Sequence, residues 1–381
     1  MTERLYDKDS FLKEFTATVL ECEQYHDNWS VLLDKTAFFP EAGGQKSDKG
    51  NLDNATVLDV QIADEKIYHI TDCPLPVGET VTGVIDFNRR LDFKQQHSAE
   101  QIVSGIAHSL YGCENVGFHL SEDIVTLDFD KFLTDDKLFQ IEELANRRVY
   151  ENAAFNCYYP EVETLKTLSY RSKKELEGAV RIVEIENTDV CACCAPHVKN
   201  AGQIGIIKLL DREKLRGGIR IELKAGKRAL ADYNEKYSNV RKISSALAVA
   251  QKDAAVGVGR LLNTLGEQKA KITELKLEKI KNLAVSLKPK SPITAIFEDN
   301  LTVRDLQVFA DSLHKIHGGI RGVFSETENG FAFAICGDGL EKFFGSFKAA
   351  FSVKGGGRNG MVQGTVVAER KEIEEFFCTS Y

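Results

Sequence analysis

The residues best suited to chemistry lie in Cys191-Ala-Cys193-Cys194-Ala-Pro-His197. Cys193 and His197 are four positions apart, close enough to share one turn or one face. A thiolate and an imidazole together are ligands for Zn2+. Taken alone, such a turn is more often a reduced structural element. A second pair strengthens the metal reading. His97 and Gln101 are also four apart, in a stretch with helical periodicity, so they share a face. A histidine pair at that spacing with Cys-x3-His would make a four-ligand set. Here the second position is Gln101, and an amide is a poor zinc ligand. His108 and His119 lie near enough in sequence for either to complete the site.

These side chains need elements to bring them together. Residues 1–88 read as short β-branched and aromatic segments, among them TATVLEC, ATVLDVQI and ETVTGVID, with turn signals such as FPEAGGQKSDKGNLDN between them. That spacing predicts a small barrel or strongly curved sheet. Residues 89–111 predict a helix, with Asn88 as N-cap and Ile102, Ile106 and Leu110 on its buried face. VTLDF, AVRIVEI, QIGIIKLL and GGIRIELKAG follow as strands and DDKLFQIEELANRRVYEN as an amphipathic helix. They interleave without a regular βαβ rhythm, which predicts an α+β fold. Residues 229–287 are helix-rich and contain no proline, and Gly257, Gly259 and Gly266 predict a break into two helices. KPKSP marks a boundary, and the remainder is an α/β module ending in a glycine loop, VKGGGRNGMVQG. The expected domains are a barrel-like domain (1–88), a metal-binding α+β core (89–228), a helical arm (229–288) and a C-terminal α/β domain (289–381).

Composition bounds the function classes. The chain has 381 residues, 43% hydrophobic and 28% charged, as expected of a soluble multidomain protein. No apolar run approaches the roughly 18 residues of a membrane span. MTERLYDKDSFLKEF has no apolar signal core, so a cytoplasmic protein is expected, with its nine cysteines reduced or bound to metal. The net charge of −8 argues against a polyanion partner, but its distribution does not. Lys227 to Lys290 holds 14 basic against 6 acidic residues, a net of +8, which leaves −16 for the rest. Such asymmetry suggests a polyanion-binding element on an acidic body, or else a solvated lysine-rich helix face.

Four motifs in order carry a resemblance: FFPEAGGQKSDKG (38–50), RRLDFKQQHSAEQ (89–101), CCAPHV (193–198) and GGIRIELKAGKRA (217–229). Together they resemble the editing region of alanyl-tRNA synthetases, and are closest to the free-standing AlaX-like editing proteins. Gly43, Gly44 and Gln45 match that family's glycine-rich motif. His97 matches the first residue of its His-x3-His, and Cys193 with His197 its Cys-x3-His. GGGRNGMVQG (355–364) resembles the glycine-rich end of the DHHA1 domain. This chain departs from the family at Gln101, where the pattern has histidine. One zinc ion per chain would then have three clear ligands, His97, Cys193 and His197. The fourth position stays open among the Gln101 oxygen, water and another histidine such as His119. Three protein ligands with an open position is a catalytic arrangement. A lapsed site is the other reading.

The resemblance implies hydrolysis of the ester between a wrong amino acid, foremost serine, and tRNA(Ala). Gln45 and Thr36 are candidates for the polar lining, beside Gly43 and Gly44, and Arg220 either for a contact to the substrate backbone or for an ion pair with the neighbours of Glu222. Zinc either orients the amino-acid end or activates a water. No nucleophile elbow or Ser-His-Asp order is present, so no covalent intermediate is expected. Lys354 and Arg358 are candidates for phosphate contacts, and the arm for RNA contact and homodimer formation. With the chain beginning in the barrel, no aminoacylation domain is expected, nor ligase activity. The competing class is a tRNA-binding or regulatory protein that keeps the fold without catalysis.

Overall fold

Alternation of buried and exposed side chains shapes the N-terminal strands. The computed structural model describes residues 2–172 and 179–379. Six strands, β1 (Glu14–Tyr25), β2 (Asn28–Leu33), β3 (Gly50–Leu52), β4 (Ala55–Ala63), β5 (Lys66–Thr71) and β6 (Thr80–Ile85), close in the order β1-β2-β5-β4-β3-β6. Every pairing is antiparallel, and the ring shuts where β6 pairs with β1. Phe15, Ala17 and Val19 alternate inward from β1, and Val57, Val60 and Ile67 meet them around Phe38 and Phe39. Inside so small a ring these side chains fill the space, so it is a packed core rather than a pore.

The next element is the one that positions the chemistry. Helix α1 (Phe87–Tyr111) is capped by Asp86, whose carboxylate accepts from Asn88 and Arg89, so the cap lies two residues before the expected Asn88. It ends on Gly112 in the left-handed conformation, φ 59°. The expected apolar stripe describes it poorly. Ile102 and Ile106 are buried but Leu110 is exposed. From Gln96 to Ala107 every residue is buried, polar ones included. A helix buried on all sides with Gln, His, Ser and Glu on it must satisfy those groups internally.

Around α1 stand β7 (Asn115–Leu120), β8 (Val125–Phe129), α2 (Asp135–Tyr150), a three-stranded antiparallel sheet of β9 (Phe155–Tyr158), β10 (Ile182–Ile185) and β11 (Asp189–Ala192), then β12 (Ile207–Leu215) and β13 (Gly218–Ala225). β12-β13-β8-β7 form an antiparallel sheet of four. Its apolar face packs on α1 and α2 through Ile102, Val103, Leu127, Ile141, Ile219 and Ile221. A buried ion pair locks this layer to the barrel: Arg90 Nε lies 3.0 Å from both carboxylate oxygens of Asp48, both side chains fully enclosed.

The chain divides into two compact units, Met1–Asn239 and Val240–Tyr381, and the division falls inside helix α3 (Gly226–Ala246). Helix α4 (Ala254–Ser286) then runs 33 residues without interruption. The glycines expected to break it do not. The break comes before it, at 247–253, where Ala248 takes φ 51°. Gly257 instead permits a close approach, since a Cβ there would lie 3.1 Å from Leu247.

In the second unit, β14 (Ile293–Phe297), β15 (Ile320–Thr327), β16 (Gly330–Cys336), β17 (Ser352–Arg358) and β18 (Met361–Val367) form a sheet ordered β14-β15-β16-β18-β17. Helix α5 (Val303–His317) and the end of α4 cover one face through Ile280, Ala284, Phe309 and Leu313. Helices α6 (Leu340–Ala350) and α7 (Arg370–Thr379) cover the other with a cluster of phenylalanines. The expected glycine loop is a β-hairpin: β17 pairs with β18 across Asn359-Gly360, with φ 56° and 75°. Two consecutive positive φ values at Asn-Gly define the tight turn that matches strand twist. Among the described residues, no helix is long and apolar enough to cross a membrane.

Candidate metal centre

The glycine-rich loop reaches the site by a turn that only glycine tolerates. Gly43 and Gly44 have φ of 61° and 79°, and a Cβ on Gly44 would lie 2.6 Å from the Phe118 carbonyl oxygen. Ala42 and Gln45 exchange backbone hydrogen bonds across this turn. The Leu120 amide donates to the Gly44 carbonyl at 2.9 Å, which stitches the loop to β7. Gln45 is thereby carried, fully buried, to the side of α1.

There its Oε1 accepts from His97 Nδ1 at 3.0 Å. An amide oxygen cannot donate, so the proton sits on Nδ1 and the Nε2 lone pair points the other way. It points at Cys193, whose Sγ is 3.5 Å from His97 Nε2 although 96 residues separate them. His197 Nε2 lies 3.3 Å from the same sulfur. Its Nδ1 is 3.1 Å from Ser98 Oγ, the neighbour of His97 on α1. Both imidazoles thus turn Nε2 inward and anchor Nδ1 behind. The three ligand atoms lie within 4.8 Å of one another. Phe118 packs on the His97 ring, and Phe155 stacks on His197. Arg181 Nη1 donates to the carbonyls of Cys193 and Ala195, both at 2.9 Å, and fixes the Cys-x3-His turn.

The donor set fits a divalent metal. Outer hydrogen bonds that set the tautomer and aim of ligating histidines are the usual companions of such sites. Burial holds the His197 imidazole well below its ordinary pKa, in the neutral form that ligates. Burial, together with the neighbouring Cys194 and Cys191 sulfurs, drives the Cys193 thiol far up. A thiolate in that place needs a cation beside it.

A cavity of about 540 Å³ opens on this cluster. Gly43, Gly44, His97, Phe118, Cys193 and Cys194 line it, with Arg4, Arg171 and Arg181 among the polar residues. Arg171 is held by Asp189 through two hydrogen bonds, of 2.8 and 2.7 Å.

Other residues singled out in the sequence sit differently. Gln101 lines the cavity, but its Nε2 turns to the Val183 carbonyl at 3.3 Å and Asp189 at 3.4 Å, and its buried Oε1 has no hydrogen-bond partner among the described residues. Gln45 does not line the wall as expected. It stands behind the wall, on His97. Thr36 is inside the barrel, 2.8 Å from His69 Nε2, and is not part of the cavity lining. Arg220 takes the ion-pair alternative, as strand parity requires: Ile219 and Ile221 face the core, so Arg220 faces outward, where it pairs with Asp128 at 2.7 Å. His119 is exposed on β7 and absent from the cavity lining, and His108 pairs with Glu114 at 2.8 Å. Neither completes the ligand set. Lys354 and Arg358 belong to the second unit, on the exposed edge strand β17. Sequence reasoning missed Glu100, a buried carboxylate that lines the cavity. Its spacing of three from His97 is the signal that could have found it.

Two protein families and several known proteins match this chain. The family described as "Threonyl and Alanyl tRNA synthetase second additional domain" matches residues 180–222, and "tRNA synthetases class II (A)" matches residues 8–89. The alanine–tRNA ligase of Thermococcus kodakarensis is 32% identical over 96% of this chain and 42% of its own length. That of Pyrococcus furiosus is 31% identical over 98% and 43%. "Alanyl-tRNA editing protein Aarsd1" of Rattus norvegicus is 27% identical over 68% of this chain and 67% of its own. The chain therefore spans less than half the length of these ligases. The class is that of alanyl-tRNA editing proteins and their synthetase homologues. Within it, this chain is a relative of the AlaX-like editing proteins, as its ordered motifs suggest.

Proposed function

We propose that this chain hydrolyses the ester bond of mischarged tRNA(Ala), foremost the seryl ester, at a site that holds one zinc ion. The observation that carries the reading is the convergence of His97, Cys193 and His197 on one another, each histidine anchored through Nδ1, beside a cavity that His97 and Cys193 line. Zinc bound there supplies Lewis acidity and a fixed point for the amino-acid end of the substrate.

The chain's own residues do the rest. The cavity is within the range of ordinary small-ligand sites and receives the aminoacylated 3′ end. The side-chain-free backbone of Gly43 and Gly44 lets the substrate come close to the His97 wall. Gln45 holds His97 in one tautomer and Ser98 holds the His197 ring in place, so no reorganisation is needed when the ester arrives. Arg4, Arg171 and Arg181 favour the phosphates next to the terminal adenosine. A site that requires the serine hydroxyl rejects alanine by as much as about 10⁴–10⁵. The helical arm, with Lys354 and Arg358 of the C-terminal domain, contacts the rest of the tRNA, and the exposed leucines of α4 pair two copies into a homodimer. The protein acts in the cytoplasm, where its substrate is.

The test is deacylation of seryl- and alanyl-tRNA(Ala) by the purified full chain, with zinc measured in the same sample. Release of serine but not alanine, lost in Cys193→Ala, is expected. The second reading, a tRNA-binding protein without catalysis, is favoured by Gln101 at the family's histidine position. Tight tRNA binding with no serine release would select it.

A further inference from the structure

The ligand set above is one member short, and Gln101, whose amide nitrogen is turned to Val183 and Asp189, offers only a neutral amide oxygen to complete it. We infer that Glu100, the residue before it, supplies the missing ligand as a carboxylate oxygen. The inference rests on the metal reading of the preceding section.

Glu100 is three positions after His97 on α1, so the two side chains leave the same face one turn apart. Both are buried, and both line the cavity. Glu100 Oε2 lies 4.0 Å from His97 Nε2, the same nitrogen that faces Cys193. Around a tetrahedral ion with bonds of about 2.0–2.3 Å, ligand atoms sit about 3.3–3.8 Å apart. The carboxylate is therefore close to ligand spacing from His97 Nε2, although it lies outside the three-atom set. Its terminal torsion is soft, so Oε2 can turn toward the cluster when a metal is bound.

The other oxygen shows how the carboxylate is aimed. Ser104 Oγ donates to Oε1 at 2.8 Å, and Asn115 Nδ2 donates to it at 2.5 Å. Asn115 Nδ2 also lies 2.9 Å from Ser104 Oγ, so the three side chains form one buried network. Hydrogen bonds on one oxygen that direct the other toward a metal are what orients a ligating carboxylate.

Charge points the same way. A dication with Cys193 as its only anionic ligand leaves a net positive charge in a buried site. A second anion removes it, and an amide oxygen cannot. The chain thus exchanges the family's second helix histidine for an oxygen ligand one residue earlier. On this assignment Gln101 is not a sign of a lapsed site.

The test uses the full chain, stripped with chelator and reloaded with Zn2+ or Co2+. Affinity is read by chelator competition, and ligand geometry by the visible absorption of Co2+. Glu100→Gln should weaken Zn2+ binding roughly 100-fold, at the upper end of what the loss of a supporting group costs, and alter the Co2+ spectrum. Gln101→Ala should leave both as in the parent protein. An unchanged affinity and spectrum in Glu100→Gln overturns the inference. So does a loss confined to Gln101→Ala, which makes the amide the ligand. If Glu100→Gln does not fold, Glu100→Asp carries the test. It keeps the charge but shortens the reach, so it must bind more weakly than the parent, and equal affinity overturns the inference. Failure of the parent chain to take up one metal ion overturns the zinc reading together with this inference. Normal loading in the parent and in Glu100→Gln alike overturns this inference alone.

Discussion

At the residue scale, the hydrogen bonds behind the ligands are as informative as the ligands. Gln45 Oε1 accepts from His97 Nδ1 at 3.0 Å and so holds the proton there. Gln45→Ala should therefore lower metal affinity by about 10–100-fold while leaving the fold intact. Titration of the stripped variant with Zn2+ against the parent checks this, and equal affinities would rule out the anchoring role. Cys193 and His197 were legible in the sequence by residue type and their spacing of four, and His97 by the motif resemblance, without knowledge of the fold. Their partners were not. No residue type or spacing singles out Ser98, and Gln45, expected on the cavity wall, stands behind it. Which atom of a buried side chain faces which neighbour is decided by tertiary packing, not by spacing along one helix. Arg220 is the opposite case. The alternation Ile219, Ile221, Leu223 already turned it outward.

At the element scale, the barrel carries a pH-sensitive group far from the chemistry. His69 is fully buried on β5, with Nδ1 3.1 Å from the Val31 carbonyl and Nε2 beside Thr36. Burial lowers its pKa from 6.5 to about 4. Above pH 6.5 both folded and unfolded chains hold it neutral, and it costs nothing. Between pH 6.5 and 4 only the unfolded chain takes up the proton, so stability falls by about 1.4 kcal/mol per pH unit. Below pH 4 the loss levels off. Denaturant unfolding at stepwise pH should show a shallower decline across that window in His69→Gln than in the parent. Identical slopes would show that His69 does not titrate in this way. The loop beside the barrel gives a second test. Gly44→Ala forces a left-handed φ on a side chain and meets the Phe118 carbonyl, so at least about 1–2 kcal/mol of stability should be lost, measured by the same unfolding. The barrel strands were legible because their alternation is local. The all-round burial of α1 was not, since its polar residues hide the apolar periodicity that marks a core helix. The break in the arm was misplaced for a related reason: glycine lowers helix propensity by about 1 kcal/mol, and α4 carries three of them without breaking.

At the scale of the whole molecule, the two compact units suggest a division of labour that charge makes testable. All three metal-ligand candidates, and Glu100, lie in Met1–Asn239. From Val240 to Lys290 there are 11 basic against 4 acidic residues, and none of those positions belongs to the ligand cluster. Leu261, Leu262, Leu265, Ile272 and Leu275 are all exposed on α4, a face that a single helix cannot bury by itself. By contrast Ile280 and Ala284, near the end of the same helix, are spent on the core with α5, so they are not available for association. A chain cut after Asn239 should therefore keep its metal and hydrolyse ester at high substrate concentration, but with a raised KM for full-length mischarged tRNA. In the intact protein tRNA affinity should fall steeply with salt, because lysine and arginine contacts to phosphate release counterions, and the cut should flatten that slope. Light scattering should show the intact chain as a dimer and the cut chain as a monomer. An unchanged KM and salt slope after truncation would place RNA binding in the first unit. A dimer that survives the cut would mean that the exposed leucines of α4 serve something other than self-association.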